Sequence, residues 1–242
     1  MKTILYLSPH FDDVVFSCSR HLLEQCEKGS RTVVATIFTE GGEAVRKEED
    51  LCAMALCHAE HIWLGEVDAP FRDEYYKSFE RLIFGRNRSF SLDLQPLIDE
   101  VNPDLIVAPL GVGTHIDHRL VFDAVTEFDS VLYYAEKPYS IISGALELRL
   151  NELGYEVNLP EFQTFWQSYL SASYVREYLG EQQTVVRQLL KDSFSLEKGL
   201  KEAEVVWEGI PMRRAIDAYS SQLQAFVDHE FYSARERIFE LK

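Results

Sequence analysis

The chain has 242 residues, 46% hydrophobic and 12% aromatic, which is enough apolar material for one sizeable α/β core and too much for a disordered chain. Acidic residues outnumber basic ones by 40 to 24, a formal net charge of −16 that argues against nonspecific binding to nucleic acid or to anionic membrane surfaces and leaves room only for a local basic pocket. No apolar run approaches the roughly 20 residues of a membrane-spanning helix. The opening "MKTILYLSPH" has no small-residue cleavage site of the signal-peptide kind, so a cytoplasmic location is the expectation.

In chain order, residues 2–8 ("KTILYLS") form a near-continuous apolar run, as expected of a parallel strand buried on both faces. Residues 14–29 read as a helix, with Val15, Cys18, Leu22 and Cys26 at helical spacing and Gly29 at its end. A β-branched strand (32–39), a helix (47–59) and a short strand (61–65) follow. Residues 66–90 read as a long loop with helical pieces, a kind of segment that is often functional. Beyond it come a helix over 91–102 with Ser91 as a cap, a strand over 103–111, a helix over 118–128 and a strand over 131–136. This alternation predicts a Rossmann-like, doubly wound, mostly parallel sheet with right-handed crossovers. From about 145 the pattern turns mostly helical ("FQTFWQSYLSASYVREYL", "TVVRQLLKDSF", "MRRAIDAYSSQLQAFV"). No linker separates the parts. The expectation is one α/β domain over 1–242, with a sheet core to about 145 and a helical C-terminal extension over 146–242.

The cysteines Cys18, Cys26, Cys52 and Cys57 form no C-x-x-C pair and read as reduced thiols; Cys52 and Cys57, inside a helix pattern, are expected in the core.

Two clusters carry chemistry. "SPHFDD" (8–13) follows the first strand and "GVGTHIDHRL" (111–120) follows the fourth. In doubly wound sheets, ligands bind at the carboxyl ends of the strands, so the topology puts both clusters on one rim. His10 and Asp13 are placed to face one ion, and a histidine of the second cluster completes three protein ligands. Asp12 then lies beside the ion, free to take a proton from water. The bland alternative is that the carboxylates are helix caps. Either cluster alone is ambiguous; the pair favours a metal site.

These residues resemble the paired P-H-x-D-D and H-x-D-H motifs of the PIG-L/LmbE-like de-N-acetylases. The likeness extends through "TEGGE" with Arg46 and Glu49, "YYAEKPY" (133–139) and the late "AIDAYSSQ" (215–222). It implies an LmbE-like fold and a zinc-dependent hydrolase removing an N-acetyl group from an N-acetylamino sugar or sugar conjugate. It further implies His10, Asp13 and His118 as zinc ligands and Asp12 as general base. His115 would stabilise the oxyanion or protonate the leaving amine, and Asp117 would orient a histidine. A His₂Asp set also suits Fe²⁺. The implied partner is a small-molecule amino-sugar substrate, with no nucleic acid and no membrane insertion; an oligomer is allowed. Phe11 and Val14 depart from the family's H-P-D-D-E, at positions that are not presumed ligands. They keep open a zinc amide hydrolase acting on a non-sugar or thiol conjugate, and a non-catalytic binding module. Arg46 and Glu136 are candidate substrate-binding residues, each against a surface or capping role. Tyr219 and Gln222 are weaker candidates. His21, His58 and His61 read as structural and His229 as surface. "GGE" (41–43) lacks the spacing of a nucleotide-binding loop.

Overall fold

The computed structural model describes residues 1–155 apart from 43, 86, 88 and 143, together with 157, 201–203, 210–223, 232 and 234–241. Strand β1 (Thr3–Ser8) is buried along almost its whole length and lies in the interior of the sheet. Helix α1 (Asp13–Glu27) crosses to β2 (Arg31–Glu40), and α2 (Val45–Cys57) to β3 (Glu60–Val67). The segment after β3 holds short helices α3 (Ala69–Arg72) and α4 (Phe79–Phe84) around a 3₁₀ turn (Glu74–Lys77). Then come α5 (Gln95–Val101), β4 (Leu105–Pro109), α6 (Ile116–Val125), β5 (Val131–Tyr134), α7 (Ala145–Glu152), β6 (Lys201–Ala203), α8 (Ile210–Asp217), α9 (Ser220–Leu223) and β7 (Ile238–Glu240).

The strand order is β3-β2-β1-β4-β5-β7-β6. The first five are mutually parallel, with Leu5 opposite Val33 on one side and Ile106 on the other. The last two pair antiparallel. The α/β, mostly parallel fold expected from the alternation is thus what forms. The chain runs outward in opposite directions from β1 and β4, so the topological switch point lies between them. The two sheet faces carry separate cores. One packs Leu5, Ile106, Leu120 and Tyr133; the other packs Tyr6, Val15, Met54 and Tyr219.

Several boundaries shift for local reasons. Helix α5 begins at Gln95, not Ser91, because the proline that follows fixes the first turn. Helix α6 begins at Ile116, two residues before the expected start, because His115 caps it. Cys52 is exposed, whereas Cys57 is buried as expected. The C-terminal part, expected to be mostly helical, also contains β6 and β7, strands of three residues, too short to show a period of two. The segments "FQTFWQSYLSASYVREYL" and "TVVRQLLKDSF", and His229, lie outside the described residues. Among the described residues, no helix is long and apolar enough to cross a membrane.

Helix α1 is broken at Cys18, whose φ of −145° and ψ of 28° are not helical. The backbone N–H groups exposed by the break do not go unpaired. Glu236, just before β7, accepts from Arg20 N at 2.9 Å, from His21 N at 3.3 Å and from the Ser19 hydroxyl at 3.2 Å.

Candidate metal centre and active site

The turn after β1 is built by short polar side chains. Ser8 Oγ donates to the His10 carbonyl at 2.5 Å and accepts from Val14 N–H at 3.2 Å. Asp13 Oδ2 accepts the His10 N–H at 2.7 Å. Asp12 occupies the N-cap position of α1 yet makes no capping bond with its side chain. The cap reading of "HFDD" therefore fails for Asp12, whose carboxylate faces the cleft and Arg46 instead.

Around the second cluster, Gly111, Gly113 and Thr114 all have positive φ. Gly113 is required twice over: a Cβ there would strike the Tyr139 ring. The turn delivers His115 as the N-cap of α6, its Nδ1 accepting Asp117 N–H at 3.2 Å. With Nδ1 an acceptor, the ring proton sits on Nε2. Burial, with His118 and His10 nearby, pushes the His115 pKa down to about 3, so this imidazole is neutral and serves as a hydrogen-bond donor.

His10, Asp13 and His118 offer ligand atoms that all lie within 4.8 Å of one another. Asp13 Oδ2 is 3.3 Å from His10 Nδ1 and 3.3 Å from His118 Nε2. This is a His₂Asp set of the kind that binds zinc or Fe²⁺ with coordination positions to spare. Burial alone would lower the pKa of both imidazoles. Asp68, Asp117 and Asp13 around His10, and Asp13 and Glu136 around His118, reverse this and raise both. Burial alone would likewise raise the Asp13 carboxyl, but His118 and His10 hold it below its ordinary range. The centre is therefore a buried place that strongly favours positive charge, and the donors present fit a divalent cation.

A second group, His10 with His115 and Asp117, meets the same distance limit. It is the poorer cation site, because the Arg72 guanidinium already lies 2.6 Å from Asp117 Oδ1 and the Ala69 N–H takes Oδ2 at 3.0 Å. Asp117 serves instead as a carboxylate behind His10, with Oδ2 3.4 Å from Nε2. Burial would raise its carboxyl; contact with His10 and the charges of His115 and Arg72 keep it low.

Glu136 is corrected from substrate contact to support. It is 0% exposed. Its oxygens accept Gly111 N–H at 2.6 Å and Val112 N–H at 3.0 Å, and Oε1 lies 3.2 Å from His118 Nδ1. It thereby leaves His118 Nε2 to face Asp13. Arg46 lines the cleft, 3.4 Å from Asp12 Oδ1 and stacked on Phe11, with its Nε unpartnered. Burial, with Arg46 opposing it, raises the Asp12 carboxyl above its ordinary range. Phe11 and Val14 both point into the core, where Phe11 meets Trp63 edge to face, so these departures alter packing rather than ligands.

The cleft has a volume of about 190 Å³, and its walls include His10, Asp13 and His118 together with Asp12, Arg46, His115, Asp68, Lys137, Tyr139 and Gln222. Asp68, 3.5 Å from His10 Nε2, escaped the sequence reading; its only sequence signal is its place just past a strand on the active rim. Tyr219 is core, donating to Asp50 Oδ1 at 2.7 Å. His21 is structural, with Nδ1 3.0 Å from the Tyr6 hydroxyl.

Residues 5–128 match the family model described as PIG-L, GlcNAc-PI de-N-acetylase. The chain belongs to the PIG-L family. Two similar proteins in that comparison range are the 2'-N-acetylparomamine deacetylases of Streptomyces fradiae, 30% identical over 56% of this chain and 57% of its own length, and of Niallia circulans, 25% identical over 57% and 68%. The chain thus spans less than two thirds of the length of the Streptomyces protein. Among solved structures, the zinc-inhibited form of teicoplanin deacetylase superposes with a TM-score of 0.59 at 18% identity, covering 98% of this chain and 97% of that one. The A40926 pseudoaglycone deacetylase gives 0.57 at 18%, covering 98% and 95%. At that identity the likeness concerns the fold alone.

Proposed function

We propose that this PIG-L member is a divalent-metal hydrolase, with zinc the expected ion, that removes the acetyl group from an N-acetylated amino sugar. The observation that carries this reading is the convergence of His10 Nδ1, Asp13 Oδ2 and His118 Nε2, with Asp12 alongside, at the switch point of the sheet. An ion held by these three residues supplies Lewis acidity toward water and the acetyl carbonyl.

The remaining work falls to side chains. Asp12, raised by burial, accepts a proton from the attacking water. The Nε2–H of neutral His115 donates to the oxygen on which negative charge develops. The proton taken by Asp12 passes to the departing amine, leaving free amino sugar and acetate. Arg46, with an unpartnered Nε beside Asp12, anchors a substrate hydroxyl. A cleft of about 190 Å³ holds one sugar ring and its acetamido group, and its opening allows the rest of a conjugate to extend outward.

The names of the relatives favour an amino sugar of an aminoglycoside, such as an N-acetylparomamine, as the first substrate to try. Release of acetate from 2'-N-acetylparomamine by zinc-loaded protein tests the reading. Failure with this compound and with a panel of N-acetyl sugars, by protein shown to hold the ion, overturns it.

A further inference from the structure

We propose that Arg72 is a positioning residue of the metal centre, acting through Asp117 on His10. It builds on the metal reading above. Asp117 is fully buried, and a buried carboxylate keeps its charge and its orientation only if both are compensated. Arg72 does both. One arm of its guanidinium lies 2.6 Å from Asp117 Oδ1, and another donates to the Val67 carbonyl at 2.7 Å. The flat group is packed 4.3 Å from the centre of the Phe90 ring and 5.1 Å from that of Phe38. The guanidinium is therefore itself held by a carbonyl and two aromatic faces, not a freely moving surface charge.

The consequence falls on Asp117. Its Oδ1 is held by Arg72 and its Oδ2 by the Ala69 N–H, so the carboxylate cannot turn about its bond to the side chain. The fixed Oδ2 edge faces His10 Nε2 at 3.4 Å, beside Asp68 Oδ1 at 3.5 Å; neither contact is a formed hydrogen bond, so the two carboxylates act on this nitrogen through charge. A carboxylate on one ring nitrogen of a histidine decides which tautomer the ring adopts, and so which nitrogen is left for a cation. Here that is Nδ1, the atom 3.3 Å from Asp13 Oδ2. A lysine at 72 would supply a charge but not the planar fork whose two separate nitrogens reach the Val67 carbonyl and Asp117.

The test is the zinc affinity of metal-stripped protein, read by competition with a chromophoric chelator, in wild type, Arg72→Met, Asp117→Asn and the double variant. Arg72→Met is expected to weaken zinc binding by about 10- to 100-fold, the range for loss of an outer-shell partner. Arg72→Lys should lose less. In the Asp117→Asn background, Arg72→Met should cost no more than about twofold, because the route through Asp117 is already cut. A role confined to folding would give the same loss in both backgrounds, and that result overturns the proposal, as does unchanged affinity in Arg72→Met. If Arg72→Met loses its native circular dichroism spectrum, Arg72→Lys in the same two backgrounds carries the test. Wild-type protein that binds no zinc overturns the metal reading and this proposal together; zinc-binding wild type with an unaffected variant overturns only the role of Arg72.

Discussion

Glu136 Oε1 lies 3.2 Å from His118 Nδ1, and the same carboxylate accepts the backbone N–H groups of Gly111 and Val112. One buried side chain thus holds both the imidazole and the loop that delivers it. Glu136→Gln replaces an acceptor oxygen with an NH₂ group that must face a backbone N–H. The expected outcome is a 10- to 100-fold loss of metal affinity, by the usual effect of outer-shell partners, with substrate KM changed much less than kcat. Chelator competition alongside steady-state kinetics checks both parts.

Asp12 faces the cleft beside the ligand set without capping its helix. Asp12→Asn is therefore expected to keep metal stoichiometry while kcat falls by about 10²- to 10⁴-fold, the range for loss of a general base. Elemental analysis and acetate-release kinetics on the same preparation decide it. Full turnover in this variant would assign the proton transfer to another group.

His21 gives a pH prediction for stability. Burial pushes its pKa from 6.5 down to about 4. Between those values the unfolded chain binds a proton that the folded chain refuses, so stability falls as pH drops through this window. From pH 7 to pH 5 the loss from this residue is about 2 kcal/mol. His21→Gln keeps an acceptor for the Tyr6 hydroxyl but has no titrating ring. Urea unfolding at the two pH values should show wild type losing more stability than the variant by about that amount.

Tyr219 is fully buried and donates to Asp50 Oδ1 at 2.7 Å. Asp50 also accepts from Trp63 Nε1 at 2.7 Å, and burial nevertheless lifts its carboxyl pKa to about 6. Tyr219→Phe leaves this carboxylate short of a partner and should cost about 1–3 kcal/mol in stability. A lowered thermal midpoint, with metal content intact, is the expected signature.

The parts of the site legible in the sequence are those that lie next to strands. Strand β1 is buried on both faces, so its apolar run announced it, and the HFDD turn came with it. The same holds for β4 and the HIDH turn. Glu136 stands out in the sequence as a carboxylate at a strand end, but its three partners are reached only in the folded chain. Asp68 and Arg72 sit in an irregular segment of short helices, where no periodicity marks which way a side chain faces. Strand β7 was invisible because three residues cannot display alternation, and its place in the sheet comes from pairing with the distant Tyr133 and Tyr134.

Glu236 meets the broken turn of α1 from 216 residues further along the chain. On a ribosome, the helix that follows the HFDD turn is made 216 residues before the carboxylate that completes it. Until then, the N–H groups of Arg20 and His21 have only water to satisfy them. The mounting of the HFDD turn is therefore finished only after 216 more residues have been added, and these distant segments mature as one piece.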